Sequence, residues 1–520
     1  MATESDSAPR LAEADKRLPW LGLCVAVLVF GCLQLVAYAV AGVFEYPLDD
    51  VYIHLAMAEG LAQGTYGLNL GEAASASSSI LYPLLLVPFA GSEFQRLLPL
   101  FWNLLAVAAC GWLWGRVVAE ADAIRAGGFG RMAPVLALVG PIALNMHGVA
   151  FTGMENSLHT AASLMIVLGC GAFLRSGKVS PALVGALIAA PLLRYEGLAL
   201  SLGAVALIAV NGRPRAAVGL ALAILLPVAA FSAALLGLGL DVLPMSVLAK
   251  TLFSAQGLSA TGRVIANLFH NLEVPEGLYL LVLSLMALWL AARPRGQLRH
   301  LVLLAGLAGV THLLFAHLGW MHRYEHYILV TLAAALLLGL AAQPWRAGPW
   351  LSLALLLPGV LCFQPQILRE YVYNPAAIYR QQAQMARFVH DYWQAPVAVN
   401  DLGWMAWQNN NYVLDLWGLA SAEVMKLRLS APADGWAGPV MARHGVDVAI
   451  IYEAWLGKAL GPGWMAVADL TMNEKIGKLG DWRVTFYAAT PERAAQLRAK
   501  LMEFAPSLPA GTGLTFRNAP

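Results

Sequence analysis

Charge is what this chain has least of. Lys, Arg, Asp and Glu make up 12% of its 520 residues, against the ~25% usual for a soluble domain, while 59% of the residues are hydrophobic. So little charge excludes an ordinary soluble protein, and the long apolar runs are those of an integral membrane protein. Cysteine is scarce as well. Cys24, Cys32, Cys110, Cys170 and Cys362 all fall in apolar runs, which leaves no disulfide framework and no CxxC metal site and makes them packing residues. There is no HExxH pair, and no internal repeat of the kind that marks an inverted-repeat transporter.

What is present is a series of apolar runs. The first, Trp20 to Val43, follows Lys16 and Arg17 and at about 1.5 Å per residue is long enough to cross a ~30 Å hydrocarbon core. "AYA" at 37–39 looks like a signal-peptidase site, but the run is about twice the length of a signal peptide's apolar region, so it reads as a retained helix. Eleven spans fit the chain, at about 19–43, 97–116, 132–149, 157–175, 181–193, 197–212, 216–238, 276–292, 300–317, 325–342 and 349–363. The fifth and sixth are short for full crossings.

The net charge of +2 says little, but its distribution orients the chain. Arg116, Arg125 and Arg131, then Arg175 and Lys178, then Arg213 and Arg215, then Arg293, Arg295 and Arg299, then Arg346 fall in alternate loops. With the tail 1–18 those loops hold 14 Lys/Arg, and the other loops before residue 364 hold five: Arg96, Arg194, Lys250, Arg263 and Arg323. By the positive-inside rule the richer loops are cytoplasmic, the tail is cytoplasmic, and an odd span count puts the C-terminus outside.

Three regions follow: the tail 1–18, a membrane domain 19–363 with long outer loops 44–96 and 239–275, and a soluble region 364–520. In the last, "AAIYRQQAQMARFVHDYW" has helical spacing, "PVAVND", "NYVLDLWG" and "VDVAIIY" read as buried strands, and "DWRVTFYAA" reads as a final strand before the helix "PERAAQLRAKLMEF". A small α/β domain is expected. In the first loop "ILYPLLLVPF" is too short to span and reads as re-entrant or interfacial.

The chemistry gathers at the outer face. Asp49 and Asp50 follow Pro47 at the start of a helical stretch. Asp is a favoured N-cap, which is the structural reading. The functional one is a general base with a charge partner, because adjacent carboxylates repel and one is pushed toward neutral pH. His54, Glu155, Glu196, His322 and Tyr324 recur at outer span ends as candidate substrate contacts, although ionisable and aromatic residues at such ends also serve as simple membrane anchors. Lys250, Arg194 and Arg323 form a set of outward cations suited to the phosphate of a lipid carrier, or to lipid headgroups. His54, His317, His322 and His326 with Asp50 are the residues from which a divalent-cation site would be built, but their spacing does not point to one, and no cofactor is firmly implied.

Taken together, these motifs resemble the GT-C superfamily of integral-membrane glycosyltransferases, most closely the branch that contains the mycobacterial terminal arabinofuranosyltransferases. "DDVYIHLAMAEGLAQGTYGLN" is similar to that family's acidic first-loop motif. "TGMEN" approximates its "SGxET", "RYEG" its "RPEG", "LPMSVLAKT" its "LPNTxxAK", "HRYEHYILV" its "RF" helix start, and "VAVNDLGWMAWQNNNYVLDLWGLAS" the opening of its C-terminal domain. The resemblance implies an α-helical polytopic membrane protein of about eleven transmembrane helices, GT-C type, with a small C-terminal α/β periplasmic domain, in the bacterial inner membrane. It implies transfer of a sugar, a pentofuranose such as arabinose among the candidates, from a polyprenyl-phosphate donor to an envelope glycan or lipid acceptor. Asp49 would be the base, Asp50 its partner, and Lys250 and Arg323 contacts to the donor phosphate. The chain departs from the pattern at Met245, Tyr195 and Tyr324, which leaves the donor sugar open. The rival reading is a polytopic transporter or lipid-linked-glycan flippase, which needs polar or broken-helix positions near mid-membrane in matched halves; the spans have almost no charge at their centres. No nucleic-acid partner is expected.

Overall fold

A computed structural model describes residues 15–126, 128–252, 258–293, 296–430 and 433–517, the side chains of 250–252 excepted. Helices stand at all eleven positions expected for spans. Among the described residues five helical stretches are long and apolar enough to cross a membrane: Arg17–Ala41, Glu93–Ile124, Asn156–Ser176, Pro214–Gly237 and the one beginning at Gly348. A sixth is formed if Ala260–Leu272 and Pro275–Ala291, bent by 106°, count as one. The remaining positions hold Met132–Ala143, Pro181–Leu193, Gly197–Val210, Arg299–Phe315 and His326–Ala341, each of 10–17 residues, shorter than the ~20 residues of a perpendicular crossing.

Local sequence accounts for where these helices stop. Arg17–Ala41 ends at Gly42 and Asn156–Ser176 at Gly177, both left-handed (φ 73° and 66°), and each glycine N–H closes the last turn on a carbonyl four residues back. Pro181–Leu193 starts on Pro181 behind Ser180, whose hydroxyl accepts the Leu183 N–H at 3.2 Å. Close packing follows from small residues. Gly111 and Gly115 form a GxxxG pair in Leu98–Ile124, and a Cβ at either would run into the backbone of Arg17–Ala41 at Gly22 or at Leu18 and Pro19. All sixteen residues of His326–Ala341 are buried, so this evenly apolar helix is the centre of the bundle.

The C-terminal domain holds one mixed sheet, β1 Val397–Val399, β2 Val413–Asp415, β3 Val448–Ile451, β4 Met465–Met472, β5 Arg483–Ala488 and β6 Thr512–Phe516. Their order is β2-β1-β3-β5-β4-β6, with β2, β1 and β3 parallel and the other pairings antiparallel. Alternation along the strands gives the sheet two buried faces. Val397, Val399 and Ile450 join the core that continues into the membrane helices, while Ala398, Leu414, Ala449 and Ile451 pack with Val440, Met441 and Leu456.

The structure corrects one expectation here. "DWRVTFYAA" is not the final strand, because β6 follows the helix Pro491–Phe504 and pairs with β4. The helical spacing expected at 376–393 is present as Asn374–Arg380, Gln382–Arg387 and Phe388–Trp393, interrupted at Gln381 (φ −118°, ψ −77°). The "ILYPLLLVPF" run does not span: it forms only the turn of helix Tyr82–Leu85, tied by Ile80 and Leu81 N–H groups to the Leu192 carbonyl.

Candidate active site

The two adjacent aspartates part company. Asp49 precedes the helix Asp50–Ala62 but does not cap it. Its carboxylate instead accepts the backbone N–H groups of Gly403 at 2.6 Å and Trp404 at 2.8 Å, the first turn of the short helix Gly403–Ala406 in the C-terminal domain. Only glycine fits at 403, since a Cβ there would strike the Asp49 carbonyl oxygen. Asp49 is 6% exposed. Burial raises its carboxyl well above the usual range, and the carboxylates of Asp401 and Asp50 push the same way while the two N–H groups pull against them. The ring of Tyr52, one turn on, stacks on Trp404 with centroids 4.1 Å apart. Asp49 thus joins the first long loop to the C-terminal domain, and both its oxygens are engaged in doing so.

Asp50 is different. Its side chain is 35% exposed and forms a short ion pair with the guanidinium of Arg323. Arg323 itself is 3% exposed, donates from Nη2 to the Tyr324 hydroxyl at 3.0 Å, and has Nε and Nη1 without a hydrogen-bond partner among the described residues. Two buried N–H groups left unmet are costly, and they mark a place where an anion would be held. The backbone that presents Arg323 is strained. Gly319 is followed by Trp320, Met321 and His322 at φ 46°, 62° and 55°, a left-handed turn that costs roughly 1–2 kcal/mol for each non-glycine residue. It is held by the Gly319 N–H on Glu325 at 2.9 Å, by the Tyr371 hydroxyl on the Met321 carbonyl, and by His322, which meets Tyr371 at 2.9 Å and Glu276 at 3.2 Å. The Asn156 amide donates to the Arg323 carbonyl at 2.8 Å.

A second cluster is centred on Glu155. Its Oε1 accepts from Arg194 at 2.8 Å and from the Ser78 hydroxyl at 2.8 Å, and its Oε2 lies 3.5 Å from His54 Nε2. His54 Nδ1 meets the Ser77 hydroxyl at 3.0 Å, and Arg194 also donates to Glu196 at 2.7 Å. Burial would raise the Glu155 carboxyl, but His54 and Arg194 overcome it and hold the group below its ordinary value; burial lowers His54. The two clusters meet at Tyr324, whose ring lies 5.0 Å from the Arg323 guanidinium and 5.4 Å from that of Arg194.

The second long loop closes the site against a serine run of the first, Ser75 to Ser79. Ser75 Oγ accepts the Met245 N–H at 3.0 Å, and Ser246 donates to the Ser77 carbonyl at 2.8 Å. This seats the helix Met245–Leu252 beside His54 and Glu155. Lys250 is in that helix, and its side chain lies outside the described residues.

A family model described as a domain of unknown function (DUF8728) matches residues 374–487. That stretch runs from the Asn374 helix to the last strand but one and includes the Gly403 turn that Asp49 holds. No curated protein matches the chain.

Of the residues singled out from sequence, Asp50, His54, Glu155, Arg194, Glu196, Arg323 and Tyr324 therefore come together. Asp49 turns to the C-terminal domain, and His322 is taken up by Glu276 and Tyr371. The four histidines considered for a metal separate: His54 goes to Glu155, His322 to Glu276, His326 to Thr160 and the Leu144 carbonyl, and His317 to the ring of His270. Among the described residues no group of three or more His, Cys, Asp or Glu is arranged to hold a metal. Sequence reasoning missed Ser77 and Ser78, and Asp401, whose carboxylate accepts from Gln382 at 2.7 Å and Tyr452 at 2.8 Å.

Proposed function

We propose that the protein is a polyprenyl-phosphate-sugar-dependent glycosyltransferase with Asp50, rather than Asp49, as its general base. The observation that carries this is the Asp50–Arg323 pair: a part-exposed carboxylate next to a buried guanidinium with two N–H groups unmet. A sugar hydroxyl is a poor nucleophile at neutral pH and needs a base to take its proton as it attacks. The bond that breaks joins the anomeric carbon to a phosphate oxygen, and the charge gathering on that phosphate needs fixed cations. Asp50 supplies the first requirement and Arg323 the second. Arg194 lies across Tyr324, and Lys250 is on the helix seated against the serine run. The Glu155–His54 pair provides contacts for sugar hydroxyls.

In this reading the chain crosses a bacterial inner membrane eleven times, the short helices crossing inside a locally thinned or protein-lined environment, and the C-terminal domain and active site lie on the periplasmic side. The acceptor is an envelope glycan or lipid, and a pentofuranose such as arabinose is one candidate donor sugar. The test is incubation of purified protein with a panel of polyprenyl-phosphate sugars, scoring release of polyprenyl phosphate. Release that survives Asp50→Asn unchanged would remove Asp50 from the mechanism, and absence of release from every donor would remove the reading.

A further inference from the structure

Two cavities open along the seam between the first long loop and the C-terminal domain, and they adjoin, since His390 and Gln408 line both. The first, of about 380 Å³, is walled by the amides of Gln63, Gln408 and Asn410, with Thr65, Tyr412 and Glu59, and by Asn69 and Asn409, whose own amides are bonded to Val413 and to Met405 and Asn411. It has no lysine or arginine in its lining. The second, of about 620 Å³, is bordered by Trp404, Trp407, Tyr379 and Tyr38 together with Arg96 and Arg387. In its wall Gln384, 2% exposed, gives its NH₂ to the Tyr379 carbonyl at 2.9 Å, while its Oε1 has no partner among the described residues; the Trp404 indole N–H has none either.

This chemistry selects a class of ligand. A side-chain amide offers two donors and an acceptor without charge, which matches hydroxyl groups that both donate and accept. A phosphate would need free cations: the first cavity has none among the described residues, and in the second Arg96 is paired with Glu45 and Arg387 is bonded to Ser507; an acyl chain would need an apolar wall. Aromatic rings next to a row of amides suit a molecule with apolar C–H faces and a hydroxyl rim, and both volumes lie in the ~300–1,000 Å³ range of ligand pockets. We propose that this seam binds a neutral glycan chain, which the C-terminal domain and the first loop grip between them. Only the further step, that this chain is the acceptor of the transfer, rests on the glycosyltransferase reading.

The test is a saturation-transfer NMR titration of the full-length protein in lipid nanodiscs with three linear probes: an α-1,5-arabinofuranosyl, an α-1,6-mannosyl and an α-1,4-glucosyl hexasaccharide. At least one should bind saturably. Gln63→Trp, which fills the amide cavity, and Asn410→Ala, an exposed wall residue, should each weaken that binding by about tenfold, the worth of one or two lost hydrogen bonds. Lys475→Ala, at an exposed position that lines neither cavity, should leave it unchanged. Absence of saturable binding by all three probes, or binding untouched by Gln63→Trp, overturns the proposal. If glycan binding behaves as expected and transfer survives Asp50→Asn, the seam stands and the catalytic reading falls.

Discussion

Asp49 receives the backbone N–H of Gly403, 354 residues further along the chain, at 2.6 Å. One carboxylate thus fixes the angle at which the C-terminal domain meets the first long loop, while its neighbour in sequence, Asp50, is left to pair with Arg323.

Exchange of each aspartate for asparagine should separate the two roles. In Asp49→Asn an NH₂ group must face either the Gly403 or the Trp404 N–H, so one hydrogen bond is lost and a buried donor is left unmet, at a cost of about 1–3 kcal/mol. The melting temperature should fall and the C-terminal domain should become more sensitive to protease. Asp50→Asn removes the counter-charge of the buried Arg323 and should also lower the melting temperature, but it should leave the C-terminal domain as protease-resistant as in the parent and lose about 10² to 10⁴ in turnover. A variant pair with the opposite pattern returns the base to Asp49.

Arg323→Lys keeps the charge but not the planar fork, so the Asp50 pair and the unmet N–H groups cannot both be served. Loss of one charged hydrogen bond, about 1.5–3 kcal/mol, corresponds to roughly ten- to hundredfold weaker donor binding. Titration with a polyprenyl-phosphate sugar reads this directly, and unchanged affinity would remove Arg323 from the proposed donor site.

The buried Asp49 and Asp401 carboxyls are both raised above the ordinary value of 3.8, mainly by burial. Below 3.8 they are protonated whether folded or unfolded. As pH rises above that, the unfolded chain releases protons that the folded one retains, so stability falls until the folded groups have titrated as well. Thermal unfolding followed against pH should show this decline. Asp401→Asn, which retains an acceptor for Gln382 and Tyr452, should flatten it and raise the melting temperature at neutral pH; an unaltered slope would show that Asp401 is ionised at no cost.

Gly111→Val should break the close contact with Arg17–Ala41, because its Cβ has the Gly22 carbonyl in its way. Overpacking of this kind costs about 1–3 kcal/mol. Recovery of monodisperse protein in mild detergent should fall, whereas Gly185→Val, where a Cβ meets nothing, should be tolerated.

Orientation can be read with cysteines at exposed sites. Gln63→Cys and Lys475→Cys should react with a membrane-impermeant maleimide on intact cells and Lys178→Cys should not, because Lys178 lies in a loop rich in basic residues. Labelling of Lys178→Cys alone would invert the topology and place the Asp50 site in the cytoplasm.

Much of this architecture is local in origin and was therefore open to sequence reading. Hydrophobic runs set where helices form, glycine and proline set where several of them end, and the return of polar residues after the last apolar run marks the C-terminal domain. The strands β4 and β6 escaped because "TGLTF" and "MAVADLTM" carry no strong alternation of their own and become strands by pairing with each other and with β5. The membership of the site was only partly legible. Charged residues at span ends could be gathered onto one side, but Asp50 and Arg323 are 273 positions apart, and no local pattern encodes which carboxylate meets which guanidinium. The division of labour between Asp49 and Asp50 was decided by tertiary structure alone. Both have helical backbone angles or begin the helix, and consecutive residues of a helix point about 100° apart. One therefore turns toward the Gly403 turn and the other toward Arg323. Sequence specified two carboxylates side by side, and the docking of the C-terminal domain on the first loop determined which of them was covered.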